Sequence, residues 1–253
     1  MNKGVVSVLV AYLIWGLYPF YFHAMQHVAP TEIVIHRVLW TFALLAVYLF
    51  CSRRWRWIQK AITDRRTVAV FLMSSVLITA NWSTYTYAIV TNQTLEASLG
   101  YFMNPLVSVL LGTVFLKEKL NKAQMLAIVF ACAGVMWVTF KQGEFPALGL
   151  TLALSFGFYG LVRKMAPLGS LEGLTLETAF AFPVALLATF YFAGNGDLTF
   201  VHGTSWDKFW LIMAGPITTI PLILFAYGLK QVPYSTVGFI QYLSPTMVFF
   251  IGL

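Results

Sequence analysis

The sequence predicts an all-α integral membrane protein built from two inverted five-helix repeats, with nine helices of that plan inside its 253 residues. Three observations predict it. The chain is 59% hydrophobic and only 10% charged, with a mean hydropathy of +0.78, whereas an ordinary soluble domain is about 25% charged. Its apolar residues gather in runs long enough to cross a hydrocarbon core of about 30 Å. Its two halves align with each other at one nearly constant offset.

The runs are 4–22, 32–51, 68–90, 95–116, 123–140, 147–163, 173–193, 207–229 and 234–253. Their breaks carry Pro, Gly, Asn or clustered basic residues, as helix ends do. The first run has only Lys3 ahead of it and no small-x-small site behind it, so it reads as a retained helix and not a cleaved leader. The second opens on "APTEIVIHRVLWTF", which puts Glu32, His36 and Arg37 at the head of an apolar stretch. Glu32 falls in the first turn, where the helix dipole favours a carboxylate. His36 is one turn deeper, and Arg37 lies about 7 Å below the entry at 1.5 Å per residue.

The third run carries Asn81, Trp82 and Tyr85, and the first and last of these share a face. In the fourth, Glu96, Gly100, Asn104, Ser108 and Gly112 recur every four residues, a small and polar stripe beside Pro105. Such a stripe serves close helix packing or lines a polar path. Cys51 and Cys132, in or next to apolar runs, read as packing residues, and no metal spacing is present. In the sixth run Gly149, Ala153 and Gly157 form a packing stripe. The seventh holds Glu177, and the ninth holds Gln241, Tyr242, Ser244 and Pro245.

Thirteen of the sixteen Lys and Arg residues fall in alternate loops on the N-terminal side. Lys141 and Lys208 fall on the other, and Arg37 lies within a run. This asymmetry predicts a cytoplasmic N-terminus. The net charge of +7 therefore orients the chain and does not signal nucleic acid, and "RRWRW" reads as an interfacial anchor in the lipid bilayer.

A shift of 140 residues lays "YAIVTNQTLEASLGYFMNPLVSVLLG" on "YGLKQVPYSTVGFIQYLSPTMVFFIG" without a gap, so Tyr87 meets Tyr227, Pro105 meets Pro245 and Gly112 meets Gly252. A shift of 141 lays "WGLY" on "FGFY". Residues 1–140 hold five runs and 141–253 hold four. Five is odd, so the second half enters the membrane from the opposite side, an arrangement typical of secondary transporters. Its fifth helix is expected at about 263–280, beyond Leu253.

Taken together, "EIVIHRVLW", "NWSTYTYA", "LEASLGYFMNPLVSVLLG", "SFGFYGLVRK" and "GFIQYLSPT" resemble the RarD group, the chloramphenicol-sensitivity proteins, of the EamA branch of the drug/metabolite transporter superfamily. The resemblance runs from the first run to the last residue. It implies ten helices in two inverted five-helix repeats, both termini cytoplasmic, in the inner membrane of a bacterium. It also implies movement of small metabolites. It supplies no substrate, and this chain departs from it in the missing tenth helix.

The expected site is a cavity between the fourth and ninth runs, hinged at Pro105 and Pro245, because paired breaks in corresponding helices mark transporter sites. Its substrate path is expected to use Trp15, Tyr18, Asn81, Tyr85, Tyr101, Asn104, Tyr159, Gln241, Tyr242 and Ser244. Gating or proton coupling is assigned to His36, Arg37, Glu96 and Glu177. Arg37 either snorkels to water or pairs with Glu96 at matching depth. Glu177 either serves an inner gate or pairs structurally with Arg163 or Lys164. The partners expected are a small solute, lipid and protons, with no cofactor. A passive pore and an integral membrane enzyme are the alternatives. No nucleotide loop or nucleophile motif supports the enzyme.

Overall fold

The computed structural model describes residues 2–91, 93–143 and 145–251. The pairing of Gly112 with Gly252 lies outside the described residues. Within the described residues, all nine predicted runs are helical. The first is split into α1 (Lys3–Gly16) and α2 (Tyr18–Ala24) at Leu17. Pro19 explains the split, since it offers no N–H and its ring crowds the preceding turn. Next come α3 (Pro30–Ser52), the short basic α4 (Arg56–Thr63), α5 (Arg65–Val90), α6 (Thr94–Phe115) and α7 (Lys122–Gln142). The second half supplies α8 (Ala147–Met165), α9 (Ser170–Gly194), the single turn α10 (Thr199–His202) and α11 (Ser205–Leu229). The ninth run is broken at Tyr242 into α12 (Tyr234–Gln241) and α13 (Leu243–Ile251).

Local signals set these ends. The Asn2 side chain caps α1, Pro30 opens α3, and the Asp64 carboxylate accepts from the amides of Arg66 and Thr67. Capping boxes start α7 (Asn121 with Gln124) and α11 (Thr204 with Asp207). The "RRWRW" segment leads into α4, and Arg53, Arg54, Trp55 and Arg56 are exposed there.

Seven spans are long and apolar enough to cross a membrane: α1 with α2, then α3, α5, α6, α7, α9 and α11. The nine runs were expected to cross alike. However, α8 ends on Arg163 and Lys164, and α12 and α13 are each too short alone.

The halves 1–140 and 141–253 do not pack as separate bodies. The most extensive helix contacts join one to the other: α6 with α8 and α12, α3 with α9 and α11, α1 with α11, and α5 with α8. At the α6–α8 crossing two glycines meet. A methyl group on Gly149 would lie 2.8 Å from the carbonyl oxygen of Glu96, and one on Gly100 would lie 2.9 Å from that of Gly149. Small residues here let the backbones touch. By contrast, α7 lies on the outside with none of its span buried. It presents Leu126, Phe130, Trp137 and Phe140 outward, as a lipid-facing helix does.

Candidate functional site

The centre of the bundle holds a cavity of about 510 Å³, a size that suits a small organic solute. Both broken helices border it, with Tyr18 and Pro19 just after the first break and Ser244 and Pro245 just after the second. The stripe at Tyr12, Trp15, Pro19 and Phe22 faces it from α1 and α2, an i, i+3, i+7, i+10 spacing that places all four on one side. Trp82 and Tyr85 reach it from α5, Tyr101 and Asn104 from α6, and Gln241 from the end of α12.

Several wall residues are held by side-chain hydrogen bonds to neighbouring helices. Pro221 in α11 has no N–H to give the carbonyl of Ile217, and the Tyr18 hydroxyl donates to that carbonyl at 2.8 Å. Asn81 Nδ2 donates to Leu152 O and Ser155 Oγ, both at 3.0 Å, which ties α5 to α8 beside the wall. Ser108 donates to Gln241 Oε1 at 3.1 Å. Asn104 Oδ1 is buried and has no partner among the described residues.

The four ionisable candidates separate. Arg37 lines the cavity: its Nε donates to Thr218 Oγ1 at 3.0 Å and its guanidinium lies 4.2 Å from the Trp82 ring centroid. The expected Arg37–Glu96 pair is absent. Glu96 instead turns to the next helix in the bundle, and its Oε2 accepts from the Leu148 amide at 3.0 Å, capping α8. That amide belongs to the first turn, where N–H groups lack helical partners and the dipole attracts an anion. Glu96→Gln is expected to lower stability by about 1 kcal/mol, read by thermal unfolding in detergent.

Glu32 follows the same rule in trans. It caps α10 by accepting from the amides of Thr199 (2.9 Å) and Phe200 (2.7 Å), and does not serve only the start of its own helix. Glu118 does so for α12, through Tyr234 N and Ser235 N. Lysines close the opposite ends. Lys164 Nζ donates to the carbonyls of Leu229 and Val232, and Lys230 Nζ to those of Ala166 and Leu168. Partial burial pushes the Lys230 ammonium below the usual lysine range, with Arg163 nearby adding to the effect. His36 is buried off the cavity. Its Nδ1 accepts from Trp40 Nε1 at 2.9 Å, its Nε2 lies 3.8 Å from Glu32, and its ring packs on Phe200.

Glu177 sits in a closed polar cluster. Its Oε1 lies 3.3 Å from Arg163 Nε and accepts from Ser74, and its Oε2 accepts from Tyr159 at 3.3 Å. Arg163 is the partner, because Lys164 is committed to backbone carbonyls. Tyr159 was expected on the cavity wall. It is fully buried here, stacked on Phe225 and turned toward Glu177. Tyr242 is likewise off the wall, since the backbone break at that residue turns it aside. A void of about 10 Å³, room for about one water, touches Glu177. It shares Ile78, Trp82 and Leu222 with the large cavity.

The cavity is wider than a cleft between α6 and α12–α13. These helices meet closely where Gly238 abuts the Pro105 carbonyl, and Pro105 is buried inside a continuous α6. Tyr12, Phe22, Phe156 and Phe249 also line the wall and were not expected there. The spacing on the first run was the available signal for the first two.

A profile of the EamA-like transporter family matches residues 2–140. The chain belongs to that family. It is 41% identical to the uncharacterized transporter YojE of Bacillus subtilis, over 100% of this chain and 85% of that one. It is 39% identical to an uncharacterized transporter of Pseudomonas aeruginosa, over 98% and 83%. It is 37% identical to protein RarD of Escherichia coli, over 100% and 85%, which fits the RarD group. A crystal structure with 14% identity superposes at a TM-score of 0.71, covering 99% of this chain and 88% of that one, which shows a shared fold. This EamA-family protein is thus a multi-pass, all-helical membrane transporter.

Proposed function

We propose that the protein moves a small metabolite or drug-like solute across the cytoplasmic membrane by alternating access, with its N-terminus in the cytoplasm. The observation that carries the reading is the central cavity flanked by two interrupted helices. Interrupted helices at mid-bundle leave backbone groups free for a solute and act as natural joints. The two inverted repeats supply the elements that rock around the site. Trp15, Tyr18, Asn81, Tyr85, Tyr101, Asn104, Gln241 and Ser244 form the substrate path, while Tyr159 and Tyr242 support it from behind. Protons couple through Glu177, which Ile78, Trp82 and Leu222 separate from the cavity.

The test is binding and flux with the full chain. A solute that raises the melting temperature is carried into proteoliposomes, where uptake is expected to saturate and matched solutes to compete. Asn104→Ala, folded as judged by its elution, is expected to weaken binding roughly 10-fold, the effect of one lost buried hydrogen bond. Non-saturating flux would favour a pore. Unchanged binding in Asn104→Ala would put the site elsewhere. Accumulation insensitive to a protonophore would remove the proton from the cycle.

A further inference from the structure

The guanidinium of Arg37 is the only charged group on the cavity wall among the described residues. The residue is 9% exposed and deep in the bundle. An intramembrane cation is normally matched by a carboxylate or by carbonyls, and here none is within ion-pair distance. The carboxylates that could have matched it are bound elsewhere: Glu32 to α10, Glu96 to α8, Glu177 to Arg163, and Asp207 to His27 at 2.8 Å. Only one donor of the fork is used, Nε on Thr218 Oγ1, and one face is covered by Trp82. The two terminal nitrogens have no hydrogen-bond partner among the described residues.

This arrangement is oriented and unsatisfied. Thr218 and Trp82 fix the plane of the guanidinium, so the free edge is held in place before any solute arrives. That edge presents parallel N–H groups with the spacing of a carboxylate. Much of the rest of the wall is aromatic, with Trp15, Tyr18, Trp82, Tyr85 and Tyr101 offering apolar area and ring faces beside the polar Asn81, Asn104, Gln241 and Ser244.

We propose that the missing counter-charge is the solute: the cavity takes a small organic monoanion, a carboxylate on an aromatic or apolar body, with Arg37 as its anchor. This rests on the transport-site reading above and narrows it. A dianion is disfavoured because the wall offers one cation. An amine is disfavoured because no wall carboxylate balances it. The solute neutralises Arg37, so the repeats rock around a loaded site that carries no net buried charge.

The experiment uses the purified full chain and a panel of aryl and alkyl carboxylates, each matched with its primary amide and amine, for example 4-phenylbutyrate, 4-phenylbutanamide and 4-phenylbutylamine. Binding is read by thermal shift and calorimetric titration. The acids are expected to bind at least about tenfold more tightly than their amides, the scale of one charge-assisted pair. Arg37→Gln is expected to erase that preference by weakening the acids far more than the amides, and Arg37→Lys to keep part of it. Because no protein carboxylate loses its partner, ligand-free Arg37→Gln should melt at or above the wild-type temperature. Should that variant not elute as wild type, Arg37→Lys carries the comparison.

Amides or amines that bind as tightly as the acids would overturn the anionic substrate and leave the cavity in place. A full response to chloride alone at matched concentration would overturn it in the same way. If no member of any charge class binds, both this inference and the transport site fall. If the acid preference survives in both Arg37 variants, Arg37 is not the anchor.

Discussion

Arg163→Ala is expected to destabilise the protein by about 3–5 kcal/mol, the usual cost of stripping one partner from a buried ion pair. Arg163 and Glu177 are 1% and 2% exposed, so the orphaned carboxylate is held away from bulk water. Glu177→Ala is expected to cost about as much, since Arg163 would keep only the Ser170 carbonyl and the face of Phe71. The double variant Arg163→Met with Glu177→Leu should regain most of the loss, because apolar replacements remove both desolvation penalties together. Thermal unfolding in detergent reads all three, and the single variants Arg163→Met and Glu177→Leu complete a double-mutant cycle with the double. Equal and additive losses would mean that the pair is not coupled. The double variant also separates stability from coupling: it should be folded yet unresponsive to a pH gradient.

Gly149→Ala is the second large effect, at about 2–3 kcal/mol. The added methyl would meet the carbonyl oxygen of Glu96 at 2.8 Å and the amide nitrogen of Gly100 at 3.1 Å. Both are backbone atoms of α6, so no rotamer change relieves the overlap and the helices must separate. Separation also stretches the Glu96 cap on α8. Gly134→Ala is the control, because nothing lies within 4 Å of the added atom. It should be neutral or stabilising by up to about 1 kcal/mol through helix propensity. Equal melting temperatures for the two variants would contradict the packing of α6 on α8.

Arg37 and Arg163 form an instructive contrast. Both are buried arginines in apolar helices, and a sequence treats them alike. Removing Arg163 leaves a charged partner behind, whereas removing Arg37 leaves only the neutral Thr218 and Trp82. One is expected to unfold the protein and the other to change what it binds.

The helices themselves were legible because they depend on near neighbours. Apolar runs of spanning length, the capping boxes at Asn121 and Thr204, Pro30 at the start of α3 and the charge asymmetry of the loops are all properties of adjacent residues. The family was legible too, since its motifs are contiguous. Much of the cavity wall could be named for the same reason: aromatic and amide side chains inside spanning helices have few other uses.

Which polar group meets which was decided by the tertiary structure alone. Glu32 was correctly read as a carboxylate at a helix start, yet the amides it caps are 167 and 168 residues away. Glu96 lay at the right depth to meet Arg37, yet the first turn of α8 reaches it instead. Tyr159 and Tyr242 have the same chemistry as their wall-lining neighbours and differ only in the direction that a helix rotation or a backbone break imposes. A charge in an apolar helix is driven to find a partner, and sequence reveals that need. The identity of the partner depends on helix rotation and crossing, which are set by contacts such as Gly100 against Gly149, so it is decided only when the bundle closes.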